Sequence, residues 1–255
     1  MNKLPDWFQK TAIILFWLAL WQLASGLIHN RILLVGPLET LKTLAGLSLT
    51  LSFWKAVGFS FCRISLGFFL AFFAGILTGA LSCWKPAVGA FLAPPIQFMK
   101  SIPVASFVIL ALIWAGSRNL SVCIAFVVVY PVIHINTVSG LCSADPMLLE
   151  MAGVFRVPLH RKALFIYRIF LGPYLVSACK TALGMAFKSG IAAEVIGVPG
   201  GSIGEGLYQA KIYLSTGELF AWTLTIILIS AAFEKIFLLF LQKLTRTNCR
   251  PPHKQ

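Results

Sequence analysis

Charged side chains inside apolar stretches are the residues of this sequence best placed to do chemistry. An ionisable group near the centre of a bilayer raises the free energy of insertion by about 2.5–3.5 kcal/mol, so such groups usually face a polar cavity or a charged partner. This pattern is typical of solute or ion binding, or of an internal ion pair. Snorkelling to the membrane interface remains an alternative for the members near segment ends. The charged residues concerned are Arg63, Lys100, Lys180, Lys188, Glu194 and Lys235.

Lys188 is the candidate that snorkelling explains least well. It lies deep in its apolar segment, about two helical turns beyond Lys180. Glu194 lies too far around the helix to be its simple neighbour. Two roles remain open for Lys188: contact with a transported solute, or a structural pair with a carboxylate or main-chain carbonyls between helices.

Enzyme, nucleotide and metal motifs are absent from the sequence. It contains no GxxxxGK[ST] loop, no HExxH motif and no cluster of carboxylates. No two of the six cysteines have the spacing of a zinc site. We therefore predict no catalytic residue, no metal and no cofactor, so an ATP-driven step would require a separate subunit.

The composition indicates a protein embedded in lipid. Hydrophobic residues make up 58% of the chain and charged residues 11%, whereas soluble domains carry about 25% charged residues. The net charge of +13 does not indicate nucleic-acid binding, because the basic residues flank apolar stretches. We predict an all-α membrane protein that forms one domain over residues 1–255.

Apolar segments near the roughly 20 residues that cross a bilayer predict six transmembrane helices. The prolines Pro94, Pro95 and Pro103 predict a broken third helix. The length of the first segment favours an uncleaved span over a signal peptide. The spans are Thr11–Ile28, Val57–Ser82, Pro103–Trp114 with an apolar approach from Val88, Leu120–Val138, Tyr174–Ile196 and Leu219–Leu241.

Basic residues in the flanks predict the orientation. With both termini in the cytoplasm, the inner segments hold eleven Lys and Arg residues and the outer segments hold five. Basic flanks face the cytoplasm, so we expect residues 139–172 to be cytoplasmic and residues 29–56 to lie outside.

Smaller patterns give further expectations. Gly75 and Gly79 have the spacing of a close helix contact, and His134 and Asn136 fit hydrogen bonding within the bundle. The glycines between 197 and 206 predict a flexible external turn.

The cytoplasmic segment 139–172 predicts two short helices. Asp145 is a strong N-cap and Pro146 suits the first turn, while Pro158 ends the helix near Val157. One side carries Leu148, Met151, Ala152 and Phe155, and the other carries Glu150 and Arg156. A second, basic helix should run from Leu159 to about Phe170, and Pro173 should restart the chain as the fifth span. Docking to a partner and lying on the lipid surface are both compatible with this pair.

The run Glu150-Met151-Ala152, with Pro173 opening the next span, resembles the EAA loop of bacterial ABC importer permeases. Segments 34–44, 60–81, 95–116, 180–197 and 200–210 follow in that family's order. They look like the nitrate, sulfonate and taurine branch of the binding-protein-dependent permeases. The sequence departs from the family pattern at Met151, which replaces alanine, and at Arg156, which replaces a glycine.

This resemblance implies a type I importer permease fold. Two copies would surround a translocation path, each docking on an ATPase subunit, and an extracytoplasmic binding protein would deliver the substrate in the cytoplasmic (inner) membrane. The implied ATPase-coupling residues are Asp145, Glu150, Met151, Ala152, Gly153, Phe155 and Arg156.

The charges in the spans predict the class of substrate. These charges, counted as five basic residues and one acid, indicate an electropositive path that favours anions. This agrees with the oxyanion and sulfonate substrates of the permease family that the sequence resembles. The candidate path residues are Lys188, Lys180, Glu194 and Lys100. The alternatives are import of a vitamin precursor, or a secondary transporter or channel, although we find no internal repeat of the kind common in secondary transporters.

Overall fold

The computed structural model describes residues 6–28 and 33–245, and in this part of the chain all regular structure is helical. The predictions on Lys3, Arg31, Arg246, Cys249, Arg250 and Lys254 lie outside the described residues. The helices are α1 (Asp6–Ile28), α2 (Pro37–Ser48), α3 (Leu51–Trp84), α4 (Pro86–Ser101), α5 (Val104–Cys142), α6 (Pro146–Val154), α7 (Leu159–Lys162), α8 (Arg168–Gly197), α9 (Ile203–Ile212) and α10 (Thr216–Thr245), with a π-helical turn at Ala163–Tyr167.

Within the described residues, five helical stretches are long and apolar enough to cross a membrane. The all-α membrane fold is therefore confirmed, but the count of six spans is not reproduced. The predicted third and fourth spans fall together in one stretch, Val104–Cys142. The other four stretches are Thr11–Ile28, Leu51–Trp84, Leu159–Gly197 and Thr216–Leu244.

The stretch Val104–Cys142 is bent sharply at Gly116. This residue has φ 69° and ψ 164°, a conformation that glycine reaches without a steric penalty. Leu112 and Leu120 both lie against Gly197, although a straight helix would separate them by about 12 Å. The chain therefore folds back at Gly116, so residues 104–115 and 117–142 act as two helices.

Close contacts show that α3 and residues 117–142 run in the same direction. A Cβ on Gly67 would lie 2.5 Å from the Val122 carbonyl oxygen, and one on Gly79 would lie 2.7 Å from the Thr137 side chain. Gly75 meets Ile133 between them, which confirms the predicted close contact of Gly75 and Gly79. Because the two helices are parallel, residues 85–116 must return the chain between them.

The returning segment consists of α4 and residues 104–115, separated at Ile102 and Pro103. The interruption at Pro103 agrees with the predicted broken helix. However, Pro94 and Pro95 lie inside α4 and do not end it.

The core forms where α5 packs along both α3 and α8. Ile64, Phe68, Ile133 and Leu183 are fully buried there. The Phe68 ring meets Phe237 of α10 edge to face at 5.2 Å, an arrangement that aromatic pairs favour. This packing holds one face of α8 inside the bundle and leaves its other face open.

Two predicted boundaries are wrong. The chain is helical from Leu159 through the π-helical turn to Gly197 and does not restart at Pro173. Leu171 and Tyr174 pack tightly against Gly140 on either side of Pro173, so tertiary contacts compensate for the lost hydrogen bond. The predicted flexible turn between residues 197 and 206 contains the start of α9, where the Ser202 hydroxyl accepts a hydrogen bond from the Glu205 amide at 3.0 Å.

Candidate functional site

Helix α6 begins as the sequence predicts. The Asp145 carboxylate accepts a hydrogen bond from the Met147 amide at 2.9 Å, and Pro146 occupies the first helical position. The helix ends at Val154, three residues before the predicted Val157. It ends early because the Val157 amide donates to the Ala152 carbonyl and the Arg156 amide donates to the Gly153 carbonyl, each at 3.0 Å. These two bonds form a Schellman cap.

Arg156 takes the backbone conformation that normally belongs to glycine in this cap. Its φ is 46°, in the left-handed region, which raises the energy of a residue with a Cβ by about 1–2 kcal/mol. Gly153 lies inside the helix and does not take over this role. The departure from the family glycine is therefore accommodated at Arg156 itself, and the loop keeps its bend.

The exposed face of α6 differs from the predicted one. Ala152 is 3% exposed, so it packs against the chain, and Leu148 lies at the edge of the exposed face at 38%. The large apolar side chains that do face outwards follow a spacing of four, three and one, which places them on one face. We call this set the α6 apolar surface: Met147 (75% exposed), Met151 (52%), Val154 (81%) and Phe155 (73%).

The predicted apolar side did not include Met147 and Val154, although their spacing to Met151 indicates the same face. Glu150, Gly153 and Arg156 are also exposed. The α6 apolar surface therefore has exposed polar neighbours and can be covered by a partner of matching shape.

Lys180 and Lys188 both lie on the exposed side of α8. The exposed face around Lys188 carries small and polar residues, together with the large apolar side chains of Met185 and Ile196, which are 41% and 43% exposed. The exposed residues of this face recur at spacings of four, four, three, four and four. We call this row the α8 stripe: Ser177, Thr181, Met185, Lys188, Ala192 and Ile196.

Lys100 lines a different groove from the α8 stripe. Its walls come from α3, α4 and α5, and Gln97, His134 and Ser139 also line it. His134 is buried, and its Nδ1 lies 2.9 Å from the Thr78 hydroxyl. This bond confirms the expectation of a hydrogen-bonding role for His134 inside the bundle.

Glu194 is fully buried, at 0% exposure. Its Oε2 accepts hydrogen bonds from the Ser60 hydroxyl at 2.5 Å and from the Gly204 amide at 3.4 Å. The Ser60 hydroxyl in turn accepts a bond from the Ile203 amide at 2.9 Å. The carboxylate thus joins α3, α8 and the start of α9, and the placing of Glu194 in a substrate path stays a prediction.

The count of charges in the spans needs one correction. Glu234 lies within the predicted span Leu219–Leu241 beside Lys235, and both line a groove on α10. The spans therefore hold a second acid that the prediction overlooked, and the basic residues still outnumber the acids.

Comparison with known proteins finds transport permeases that are similar to most of this chain at low sequence identity. A Bacillus subtilis protein named for the transport of aliphatic sulfonates is 25% identical over 223 residues, covering 86% of this chain and 80% of its own. The taurine transport system permease protein of Escherichia coli is 23% identical over 220 residues, with coverages of 84% and 80%. The bicarbonate transport system permease protein of Synechocystis is 29% identical over 219 residues, with coverages of 78% and 74%. No protein-family model matches the chain.

Proposed function

Because this chain belongs with the permease subunits of ABC transporters, we propose that it forms the membrane-spanning part of an ATP-driven importer for a small anion. The observation that carries this proposal is the α8 stripe, which places Lys188 on an open face of a membrane-spanning helix. A lone charge on such a face is unfavourable against lipid tails and favourable beside water or an anion.

The contrast between α8 and its neighbours supports the assignment of the path. The exposed face of α3 carries Leu66, Leu70, Phe73 and Leu77, each more than half exposed, as expected for contact with lipid. The α8 stripe instead holds Ser177, Thr181 and Lys188. We infer that the α8 stripe lines the translocation path, facing the same stripe of a second copy.

The charge of the stripe and the relatives' names agree on the substrate class. Lys180 and Lys188 supply positive charge on the open side of α8, which attracts anions more strongly where water is partly excluded. The relatives named above are transport proteins for sulfonates, taurine and bicarbonate. We therefore propose a small sulfonate or related oxyanion as substrate, delivered by an extracytoplasmic binding protein.

Replacing Lys188 should lower transport without preventing assembly. Lys188→Met removes the ammonium group and keeps a similar length. A charge-assisted hydrogen bond contributes about 1.5–3 kcal/mol, so kcat/KM for an anionic substrate should fall about tenfold or more. Uptake by proteoliposomes that contain the complete transporter measures this.

The matched control is Lys235→Met, which removes another exposed lysine of a membrane-spanning helix, on α10 instead of α8. We expect this control to transport at the wild-type rate. Wild-type uptake by Lys188→Met at a substrate concentration below KM would leave Lys188 with no role towards the substrate.

The α6 apolar surface is proposed to dock on a cytoplasmic ATPase subunit. Three large apolar side chains exposed on one nine-residue helix, with Phe155 at its C-cap as a fourth, are unfavourable in water and gain free energy when a partner covers them. The basic α7, with His160, Arg161 and Lys162, fits the neighbouring anionic membrane surface.

Labelling of single cysteines should show α6 in the cytoplasm and the start of α9 outside. Phe155→Cys and Gly200→Cys, each in a cysteine-free background, introduce a thiol at an exposed position. An impermeant maleimide should react with the first only from the cytoplasmic side and with the second only from the outer side. Reaction of both from one side would contradict the proposed orientation.

A further inference from the structure

A groove between α3 and the residues that follow the bend at Gly116 plays no part in the proposed transport path. It encloses about 650 Å³, and its walls include Leu66, Leu70, Val122 and Phe126. Arg63 and Arg118 also line it, and the apolar wall follows them along the two helices. The described residues that line the groove thus combine two cations with an apolar wall, and they include no acid.

The guanidinium group of Arg63 is held in position. It donates hydrogen bonds to the Arg118 carbonyl and, at 2.8 Å, to the Asn119 side chain. It also lies 4.8 Å from the centre of the Phe59 ring, within the range of a cation–π contact. Because these bonds fix the group before a ligand arrives, little side-chain entropy remains to be lost on binding.

The apolar wall opens onto the exposed apolar face of α3. Leu66 and Leu70 continue into the exposed row of Phe73 and Leu77 along α3. The distance along the helix from Arg63 to Leu70 is about 10 Å, which gives room for part of an extended acyl chain. None of the α8 stripe residues lines this groove, so it is separate from the proposed path for a water-soluble anion.

We propose that this groove binds one anionic phospholipid, with its phosphate between Arg63 and Arg118 and an acyl chain along Leu66, Leu70 and Phe126. The occupant is an amphiphile because the two cations, followed along the helices by an apolar wall, match a charged headgroup and a tail. Guanidinium groups suit phosphate, to which they donate paired hydrogen bonds. This site goes beyond the proposed transport function and does not depend on it.

Lipid binding by the purified full-length chain tests the proposal. Native mass spectrometry in detergent, with added phosphatidylglycerol or phosphatidylcholine, should show one tightly retained phosphatidylglycerol. Arg118→Gln should weaken its binding about fivefold, the typical contribution of one basic residue at an anionic lipid surface. This variant retains the Arg63 hydrogen bonds, because the acceptor on Arg118 is its main-chain carbonyl. Lys55→Gln removes a cation of α3 that does not line the groove, and it should leave binding unchanged.

The natural thiol of Cys62 locates the bound lipid. Cys62 is free, exposed and lines the groove, so phosphatidylglycerol should slow its alkylation by N-ethylmaleimide, measured on the peptide by mass spectrometry. Cys142, which is also exposed, should react at an unchanged rate. Equal retention of the two lipids, or undiminished retention by Arg118→Gln, would overturn the proposal. Protection of Cys62 by a soluble sulfonate, or by protein concentration alone, would assign the groove to a solute or to a second copy instead.

Discussion

Phe155→Asp should abolish transport while the permease still inserts and folds. Phe155 is 73% exposed and closes α6 as its C-cap residue, so the bundle loses no buried contact when it is replaced. A phenylalanine that becomes buried against a partner contributes about 1.5–3 kcal/mol, and an unpaired carboxylate buried there adds a further penalty. The ATPase subunit should therefore dissociate during purification, and uptake should fall to background.

Phe155→Leu provides the matched control, because it keeps an apolar side chain and should retain most of the transport. Co-purification of the ATPase with an affinity-tagged permease, together with uptake, measures both variants. Retention of the ATPase by Phe155→Asp at the wild-type level would exclude docking through the α6 apolar surface, and α6 would then be assigned to the lipid interface.

The structure separates two substitutions that the sequence pattern treats alike. Ala152 and Phe155 share one side of the predicted helix, but Ala152 is buried at 3% exposure. Ala152→Asp would place a charge inside the permease, so we expect poor folding and not a clean loss of docking. Loss of transport in that variant is therefore no evidence for a contact with the ATPase.

Local chemistry explains what could be predicted from the sequence. Asp145 and Pro146 start α6 because a carboxylate that caps an amide and a proline in the first turn act within three residues. The membrane class follows from composition, and the contact of Gly75 with α5 follows from spacing and the absence of a side chain. The helix start and the membrane class do not depend on how distant helices are arranged, and for Gly75 the spacing predicts a close contact without naming its partner helix.

Features that depend on distant contacts could not be predicted. Glu194 is buried against α3, where Ser60, 134 residues earlier in the chain, donates a hydrogen bond to it. Lys100 lies in a different groove from Lys188 because α4 packs on α3 and α5. Arg156 is a local exception: the hydrogen bonds of the Schellman cap hold it in the bend of a glycine, although a residue with a Cβ is disfavoured in that conformation. Glycine content alone likewise predicts a flexible turn where the packing of Gly204 fixes the start of α9.

Gly204→Ala should markedly destabilise the protein, although alanine is the better helix former by about 1 kcal/mol. A Cβ at this position would lie 2.3 Å from the Glu194 Cβ and 2.4 Å from the Glu194 carbonyl carbon. The α8 main chain cannot yield, so α9 must move away from it.

Moving α9 removes the bonds from the Gly204 amide to Glu194 and from the Ile203 amide to Ser60. The Glu194 carboxylate then loses a donor in a site where Oε1 already has no hydrogen-bond partner among the described residues. Overpacking raises the free energy of the folded state by about 1–3 kcal/mol, and a buried acceptor left without a donor adds about 1–3 kcal/mol. For a chain of this size the melting temperature should fall by about 10 °C.

Gly200→Ala is the matched control in the same segment. Among the described residues other than the two adjacent ones, no heavy atom lies within 4 Å of a Cβ built at Gly200, and its φ is not positive, so the melting temperature of this variant should equal that of the wild type. Thermal unfolding of both variants in detergent, followed by tryptophan fluorescence and size-exclusion chromatography, measures the difference. If Gly204→Ala and Gly200→Ala have the same melting temperature, α9 can be displaced from Glu194 without loss of stability. The Glu194 carboxylate would then not hold α3, α8 and α9 together.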